Sequence, residues 1–203
     1  LTQQITRYPE PKIHDYDKTY FRIVKGAMHT RQYKTGSVAR LSVLEKQGID
    51  VRFKGWTDNT DHILLCPSSP TVTQFVNDMS QDEWVERVTS ELRQHTDRPI
   101  KFRNKPRPGN EWWDRDIKDD LKNAHALITN MSLASVDAVI NQVPVLTHAH
   151  NIGYRVSINN LPNINTPYKP PREIVEPWLN WLSHNQFTIS EIESGLAYKT
   201  LNE

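Results

Sequence analysis

The fold is decided by the stretch His62-Ile63-Leu64-Leu65-Cys66-Pro67-Ser68-Ser69-Pro70. Its unbroken apolar run ends in prolines and serines, which is typical of a strand that is buried on both faces. Three further short runs follow, and helical patterns separate them. Strands and helices that alternate at this spacing predict a parallel sheet with right-handed crossovers. The predicted strands are 63–66, 99–103, 126–129 and 143–146, and the predicted helices are 81–95, 116–123 and 133–141.

Local signals mark where these helices begin. Ser80 is followed three residues later by Glu83, a capping-box pattern that predicts a helix from residue 81. Ser132 is predicted to cap the helix at 133–141 in a similar way. Residues 104–115 carry no periodic pattern and are predicted to form a long loop.

The flanking regions suggest two smaller parts around a Rossmann-like domain at 61–160. Residues 1–60 are interpreted as an arm or linker and part of a truncated or missing N-terminal domain, and residues 161–203 as a helical brace that packs on the α/β layer. Within these parts we predict strands at 20–24 and 51–54, a basic loop at 25–36, and helices at 38–47, 173–184 and 189–197, the last with a capping box formed by Thr188 and Glu191.

The composition excludes several classes of protein. The 203 residues are 36% hydrophobic and 24% charged, as in soluble globular chains, and no apolar run approaches the roughly 20 residues of a membrane helix. No secretory signal is recognised, and the single cysteine, Cys66, excludes an internal disulfide framework, so a cytoplasmic location is expected. The net charge of +1 predicts no broad surface for a polyanion.

A second stretch resembles a known family. It reads Asn123-Ala124-His125-Ala126-Leu127-Ile128-Thr129-Asn130-Met131-Ser132, then Ser135-Val136-Asp137-Ala138-Val139, then Val143-Pro144-Val145. A strand that ends in a small polar loop, a helix that begins with serines and carries an acid, and a Pro-Val strand are similar to the C-terminal half of GT-B glycosyltransferases. The resemblance is to capsule-polysaccharide (Kdo-transferase-like) enzymes and to small phage proteins of that type.

This resemblance implies half of a GT-B fold that binds a nucleotide-sugar donor without a metal ion or other cofactor. It also implies a second, N-terminal domain, which would lie upstream of Leu1 or have been lost. Three positions depart from the family pattern. Asp137 stands where a glutamate is usual, Gln142 where a glycine ends the helix, and Lys105 where a histidine that contacts phosphate occurs.

Candidate donor-binding residues lie where the predicted parallel strands end, because ligands of such sheets bind at the carboxyl ends of the strands. The helix start at Asn130, Ser132 and Leu133 would offer backbone N–H groups to a phosphate, or Ser132 would only cap the helix. Asp137 would accept from ribose hydroxyls or be a solvated helix residue. The complete set of predicted donor-binding residues is Ser68, Arg103, Lys105, Asn130, Ser132, Leu133 and Asp137.

The long loop supplies the candidates for the acceptor. Arg103, Lys105 and Arg107 make it basic, which suits a diphosphate or an acidic sugar but also an ordinary solvated loop. Trp112 and Trp113 suit stacking on a sugar or a base, although such residues more often join a core. Arg107 and the two tryptophans are therefore the predicted acceptor-binding residues.

His148 and His150 follow the last predicted strand and are weak candidates for a catalytic base. No third ligand occurs at a suitable spacing, so we predict no metal site.

The sequence thus predicts a glycosyltransferase-like protein that transfers a sugar from a nucleotide-sugar to a saccharide or other hydroxyl acceptor. Two alternatives are open. The chain could be a non-catalytic binding or assembly module that kept the fold, as the three departures suggest. If it is phage-encoded, the acceptor could be a nucleic acid, namely a DNA base flipped out of the stack.

Overall fold

The computed structural model describes residues 3–4, 20–24, 39–46, 48, 51–107 and 109–202. Within the predicted arm or linker at 1–60, most of residues 1–19 and all of the predicted basic loop at 25–36 lie outside the described residues. In chain order the strands are β1 Gln3–Gln4, β2 Phe21–Arg22, β3 His62–Leu65, β4 Ile100–Phe102, β5 Ala124–Thr129, β6 Val145–Thr147 and β7 Gln186–Phe187. The helices are α1 Ala39–Lys46, α2 Pro70–Asn77, α3 Gln81–Arg93, α4 Ile117–Leu121, α5 Ala134–Ile140, α6 Arg172–His184, α7 Ile189–Glu193 and α8 Leu196–Asn202, with 3-10 helices at Ile152–Val156 and Leu161–Asn163.

The described chain forms two compact units. Unit 1 comprises Leu1–Arg52 and Val175–Glu203, and unit 2 comprises Phe53–Ile174. Among the described residues, no helix combines the length and the apolar character that crossing a membrane requires.

Unit 2 is built on a parallel sheet of four strands in the order β4-β3-β5-β6. Ile63 of β3 lies between Ile100 of β4 and Ala126 of β5, and Leu127 pairs with Val145 of β6. The prediction of four parallel strands alternating with helices is confirmed. The result is a mixed α/β layer flanked by helices and compatible with a Rossmann-like fold.

The core of unit 2 explains why the apolar runs become strands. Every residue of β3, β5 and β6 is buried, whereas β4 at the edge of the sheet is partly exposed, as its mixed sequence leads one to expect. On one face of the sheet, the apolar side of α3 packs against the strands. This cluster contains Ile63, Leu65, Ala126, Ile128 and Leu146 from the strands and Trp84, Val88 and Leu92 from α3.

The two predicted caps differ in outcome. Ser80 and Glu83 form the predicted capping box, with both reciprocal hydrogen bonds present. The helix predicted at 133–141 begins at Ala134 instead, and its N-cap residue is Leu133, which is already in the right-handed helical conformation. The Ser132 hydroxyl accepts from the Ala134 N–H at 3.2 Å, so it supports the turn before the helix and is not the N-cap.

Two other predictions are wrong in detail, and one helix was missed. Residues 51–54 form no strand, and the helix predicted at 189–197 divides into α7 and α8 around Gly195, whose φ is +77°. Helix α2 was not predicted at all, because Ser69-Pro70 was interpreted only as the end of a strand. Proline also favours the first turn of a helix, and here it occupies that position.

Unit 1 contains the antiparallel strands β1, β2 and β7, in which Phe21 pairs with Phe187 and Arg22 with Gln186. Tyr20 and Leu44 form a small buried cluster. Helix α6 from Val175 onward, α7 and α8 belong to this unit. The predicted capping box of Thr188 and Glu191 is present at the start of α7.

Candidate functional site

The candidate site lies at the carboxyl edge of the parallel sheet, where the order of the strands reverses. After β3, the chain continues to β4 on one side and later to β5 on the other side. The chain thus leaves β3 toward β4 and leaves β5 toward β6, in opposite directions along the strand order. Ligands of open α/β sheets bind at such a point. The loops after β3 and β5 contain the predicted residues Ser68, Asn130, Ser132 and Leu133.

Ser68 and Asn130 do come together at this point, and they bond to each other. The Ser68 N–H donates to Asn130 Oδ1 at 2.8 Å, and the Met131 N–H donates to Ser68 Oγ at 2.9 Å. The Asn130 amide also donates to Thr73 Oγ1 and Asn77 Oδ1 of α2. Both residues are buried, so these polar groups fix the shape of the two loops rather than face solvent.

Asn151, which was not among the predicted site residues, extends this network to the loop after β6. Its amide donates to the backbone oxygens of Asn130 and Ser132, both at 3.1 Å. Its oxygen accepts from Ser135 Oγ and from the Gly153 N–H. A Cβ at Gly153 would lie 2.9 Å from Ser135 Cβ, so only glycine fits this approach. An asparagine before a helix start was the available signal.

At the start of α5, fewer polar groups are available to a ligand than the sequence suggests. The Ser132 N–H donates to Thr129 Oγ1 at 3.1 Å, and the Ser132 hydroxyl is engaged with Ala134. Ser132 and Leu133 remain half-buried, so they are the parts of this loop nearest to solvent. Asp137 is half-buried in the first turn of α5.

Gln142 takes the conformation that a glycine would normally supply. Its φ is +67°, in the left-handed region, and the Val143 N–H donates to the Ala138 oxygen at 2.8 Å. The departure from the family pattern at this position therefore changes the residue without removing the turn, at a conformational cost of about 1 kcal/mol.

Arg103 is buried and bound to protein groups. Its guanidinium forms an ion pair with Asp120 and donates to the Arg115 backbone oxygen at 2.7 Å. Arg115 forms a second ion pair with the same carboxylate, and about half of its side chain is exposed. Asp120 and Arg115 were not predicted, because tertiary contact alone brings them to Arg103.

Charges at this edge also act on Cys66, the last buried residue before the loop. Burial raises the pKa of the Cys66 thiol far above its ordinary value, against the opposing effect of Arg103, and Asp120 and Asp137 raise it further. The thiol is therefore protonated at neutral pH and packs as a small apolar group.

The loop from residue 103 to residue 116 carries the exposed part of the site. Lys105 and Arg107 are exposed, and Asn110 holds this segment by hydrogen bonds to their backbone groups. Trp112 packs edge-on against Phe102 with ring centroids 5.9 Å apart, and Trp113 is 40% exposed. Phe102, which was not predicted, thus adds a third ring to the two tryptophans.

Gln81 joins the loops after β3 and β4. Its amide donates to the Ser68 backbone oxygen at 2.5 Å and to Asn104 Oδ1 at 3.1 Å. These two hydrogen bonds of Gln81, together with the Ser68–Asn130 and Asn151 contacts, connect all four loops at the carboxyl edge. The loops at the carboxyl edge are therefore joined by a continuous hydrogen-bond network.

His148 and His150 lie beside each other in the loop after β6, with ring centroids 5.2 Å apart. The His150 N–H donates to His148 Nδ1. Burial, and then the neighbouring His150, lower the pKa of His148, which favours its neutral form at pH 7. Within the described ranges, no group of three or more metal-ligating side chains occurs.

Comparison of the chain with family models, curated proteins and solved structures found no match.

Proposed function

We propose that this chain binds a nucleotide-sugar at the carboxyl edge of its parallel sheet and transfers the sugar to a saccharide or other hydroxyl acceptor, as a metal-independent glycosyltransferase with a GT-B-like half. The observation that carries the proposal is the hydrogen-bonded junction of the β3 and β5 loops, Ser68 to Asn130 and Met131 to Ser68, where the strand order reverses. A rigid junction at this point supports ligand binding because its geometry needs no reorganisation on binding.

In this proposal the residues divide into two groups. Ser68, Asn130 and Arg103 are buried and bonded, so they would position the loops. The donor would meet the solvent-facing groups, namely Ser132, Leu133 and Lys105, while Arg115 would add positive charge near the diphosphate. Cationic groups there would stabilise the negative charge that develops on the leaving nucleotide.

The acceptor would lie against the aromatic part of the 103–116 loop. Phe102 and Trp113 are each 40% exposed, and Trp112 packs edge-on against Phe102. Exposed aromatic rings in the segment that also carries Arg107 suit stacking on a sugar ring together with contact to an acidic group.

A second candidate function is a non-catalytic binding module. The specific observation in its favour is that three predicted phosphate ligands, Ser68, Asn130 and Arg103, already have partners within the protein. A transferase, unlike a binding module, would also need a catalytic base, and the sequence offers His148 and His150 as candidates.

A thermal-shift screen against UDP-, GDP-, CMP- and dTDP-sugars tests the proposal. We expect one nucleotide class to raise the melting temperature, and Ser132→Ala and Lys105→Ala to abolish that rise. Ser90→Ala on the exposed face of α3 and Lys122→Ala at the opposite edge of the sheet are matched controls that should keep it. Absence of any shift, or loss of the shift in the controls, would overturn the assignment of the donor to this edge.

Stabilisation by a nucleotide-sugar without turnover separates the two candidate functions. If the nucleotide-sugar binds and no free nucleotide is released in the presence of saccharide acceptors, the result favours a non-catalytic binding module. Release of nucleotide that depends on the acceptor supports the transferase.

A further inference from the structure

Among the described residues of unit 1, two arginines are buried, and they differ in how their guanidinium groups are bonded. Arg40 donates to both carboxylate oxygens of Glu191 at 2.5 Å and to the Gln186 backbone oxygen. Arg22 is 0% exposed, and none of its three guanidinium nitrogens has a hydrogen-bond partner among the described residues. The guanidinium carbon lies 4.6 Å from the ring centroid of Trp181, over the face of that ring.

A second group without a partner lies beside Arg22. Gln186 is the cross-strand partner of Arg22 in the β2–β7 pair, so the two side chains project from the same face. Neither the amide nitrogen nor the oxygen of Gln186 has a partner among the described residues, and both atoms are buried. Two adjacent residues therefore present unbonded N–H donors in one place.

The charge of Arg22 makes this arrangement informative. Burial lowers the pKa of the Arg22 guanidinium to about 10, so it stays protonated at neutral pH. A buried cation without an acceptor is strongly unfavourable, and proteins resolve it by supplying a negatively charged partner. The face of Trp181 stabilises a cation only in part, because it accepts none of the N–H groups in their plane.

We propose that Arg22 and Gln186 form a binding site for an oxyanion, the carboxylate or phosphate group of a ligand. The planar guanidinium would hold two oxygens in a bidentate pair, and the Gln186 amide would donate a further hydrogen bond. Trp181 would hold the guanidinium plane from one side. Because all three Arg22 nitrogens are covered, binding requires local opening of unit 1 and is slow.

The test is a thermal-shift titration of the full chain with inorganic phosphate, sulfate and acetate against chloride at constant ionic strength. We expect a rise in melting temperature of about 3 °C at an anion concentration tenfold above its dissociation constant. Arg22→Met should abolish the rise, and without added oxyanion it should melt no lower than the parent chain, because it removes an unpaired buried charge. Gln186→Leu should weaken the response.

Two controls separate this site from the carboxyl edge of unit 2. Arg52→Met removes the same charge from an exposed position of unit 1 and should keep the response. Lys105→Ala changes the proposed donor site and should also keep it. A response to phosphate and sulfate alone indicates a tetrahedral oxyanion, and a response that includes acetate indicates a carboxylate; both support the proposal.

Three results would overturn it. One is a phosphate response no larger than that of chloride. Another is a response that Lys105→Ala removes and Arg22→Met keeps, which would assign the anion to the carboxyl edge. The third is a clear loss of stability in Arg22→Met, which would mean that the guanidinium is already paired within the chain.

Discussion

The carboxyl edge of the parallel sheet and the β2–β7 face of unit 1 treat buried polar groups in different ways. At the carboxyl edge, Ser68, Asn130 and Asn151 satisfy one another and the backbone around them. On the β2–β7 face, Arg22 and Gln186 are as deeply buried, but their side chains have no hydrogen-bond partner among the described residues. Polar residues of the first kind build a framework, whereas those of the second kind indicate that a partner from outside the described residues is needed.

Arg103 and Arg22 show the difference most directly. Arg103 is 4% exposed and has Asp120 and a backbone oxygen as partners, whereas Arg22 is 0% exposed and its guanidinium has no hydrogen-bond partner among the described residues. An arginine that the sequence predicts to bind phosphate thus already has partners within the protein. The arginine with unmet donors lies in a short strand where no sequence motif predicted a site.

The largest effect is expected when Arg103 loses its carboxylate partner and is left, like Arg22, buried without one among the described residues. Asp120→Asn removes the charge that both Arg103 and Arg115 share, and it should destabilise the fold by about 3 to 5 kcal/mol, because a buried charge then lacks its counter-charge. Urea unfolding followed by tryptophan fluorescence measures the change. The neighbouring exposed Asp119→Asn is the control and should change stability by less than about 0.5 kcal/mol.

A loss of stability below about 1 kcal/mol in Asp120→Asn would contradict the proposed difference between Arg103 and Arg22. It would show that a buried arginine in this protein tolerates a missing counter-charge. The case for a ligand at Arg22 would then weaken with it.

The next effect concerns the framework itself. Asn130→Ala leaves the Ser68 N–H without its acceptor and removes two bonds to α2, so we expect a loss of about 2 to 3 kcal/mol. Exposed Asn163→Ala is the matched control and should be nearly neutral. A near-neutral Asn130→Ala would mean that the junction of the β3 and β5 loops is not the rigid element on which the proposed donor site depends.

The sequence predicts this framework only where the signal is local. The apolar run at 63–66 and the Ser80–Glu83 capping box need no distant partner, and both are present in the structure. Helix α2 was missed because a proline after a serine fits the end of a strand as well as the start of a helix.

Contacts between distant segments leave no such pattern. Asp120 reaches Arg103 only after α4 has folded back beside the end of β4, and Asn151 reaches Asn130 only through the neighbouring strand β6. Arg22 and Gln186 meet only through the pairing of β2 with β7, which are far apart in the sequence. For this reason the loops of the candidate site could be predicted from the sequence, while the partners that decide which of its side chains are available could not.

The smallest expected effect is on the pH dependence of stability, which distinguishes Arg40, the partner of Glu191, from Arg22. Burial raises the pKa of Glu191, but its hydrogen bonds with Arg40 and Thr188 outweigh burial, so the pKa lies below the ordinary value of the carboxyl group. A carboxyl group with a lowered pKa stabilises the fold above its unfolded pKa of about 4.3, and this contribution disappears as the pH falls through the folded pKa. The stability difference between the parent chain and Glu191→Gln should therefore be constant near neutral pH and vanish in acid, while exposed Glu193→Gln shows no such difference.

Arg22 should behave differently in the same titration, because no described carboxylate accepts from it. The difference between the parent chain and Arg22→Met, measured by urea unfolding in chloride buffer, should stay constant from pH 7 down through the range in which the Glu191 contribution disappears. If the Arg22 difference falls with the Glu191 difference, a carboxylate of the chain itself pairs with Arg22. The two arginines would then be alike, and the oxyanion would have no site to fill.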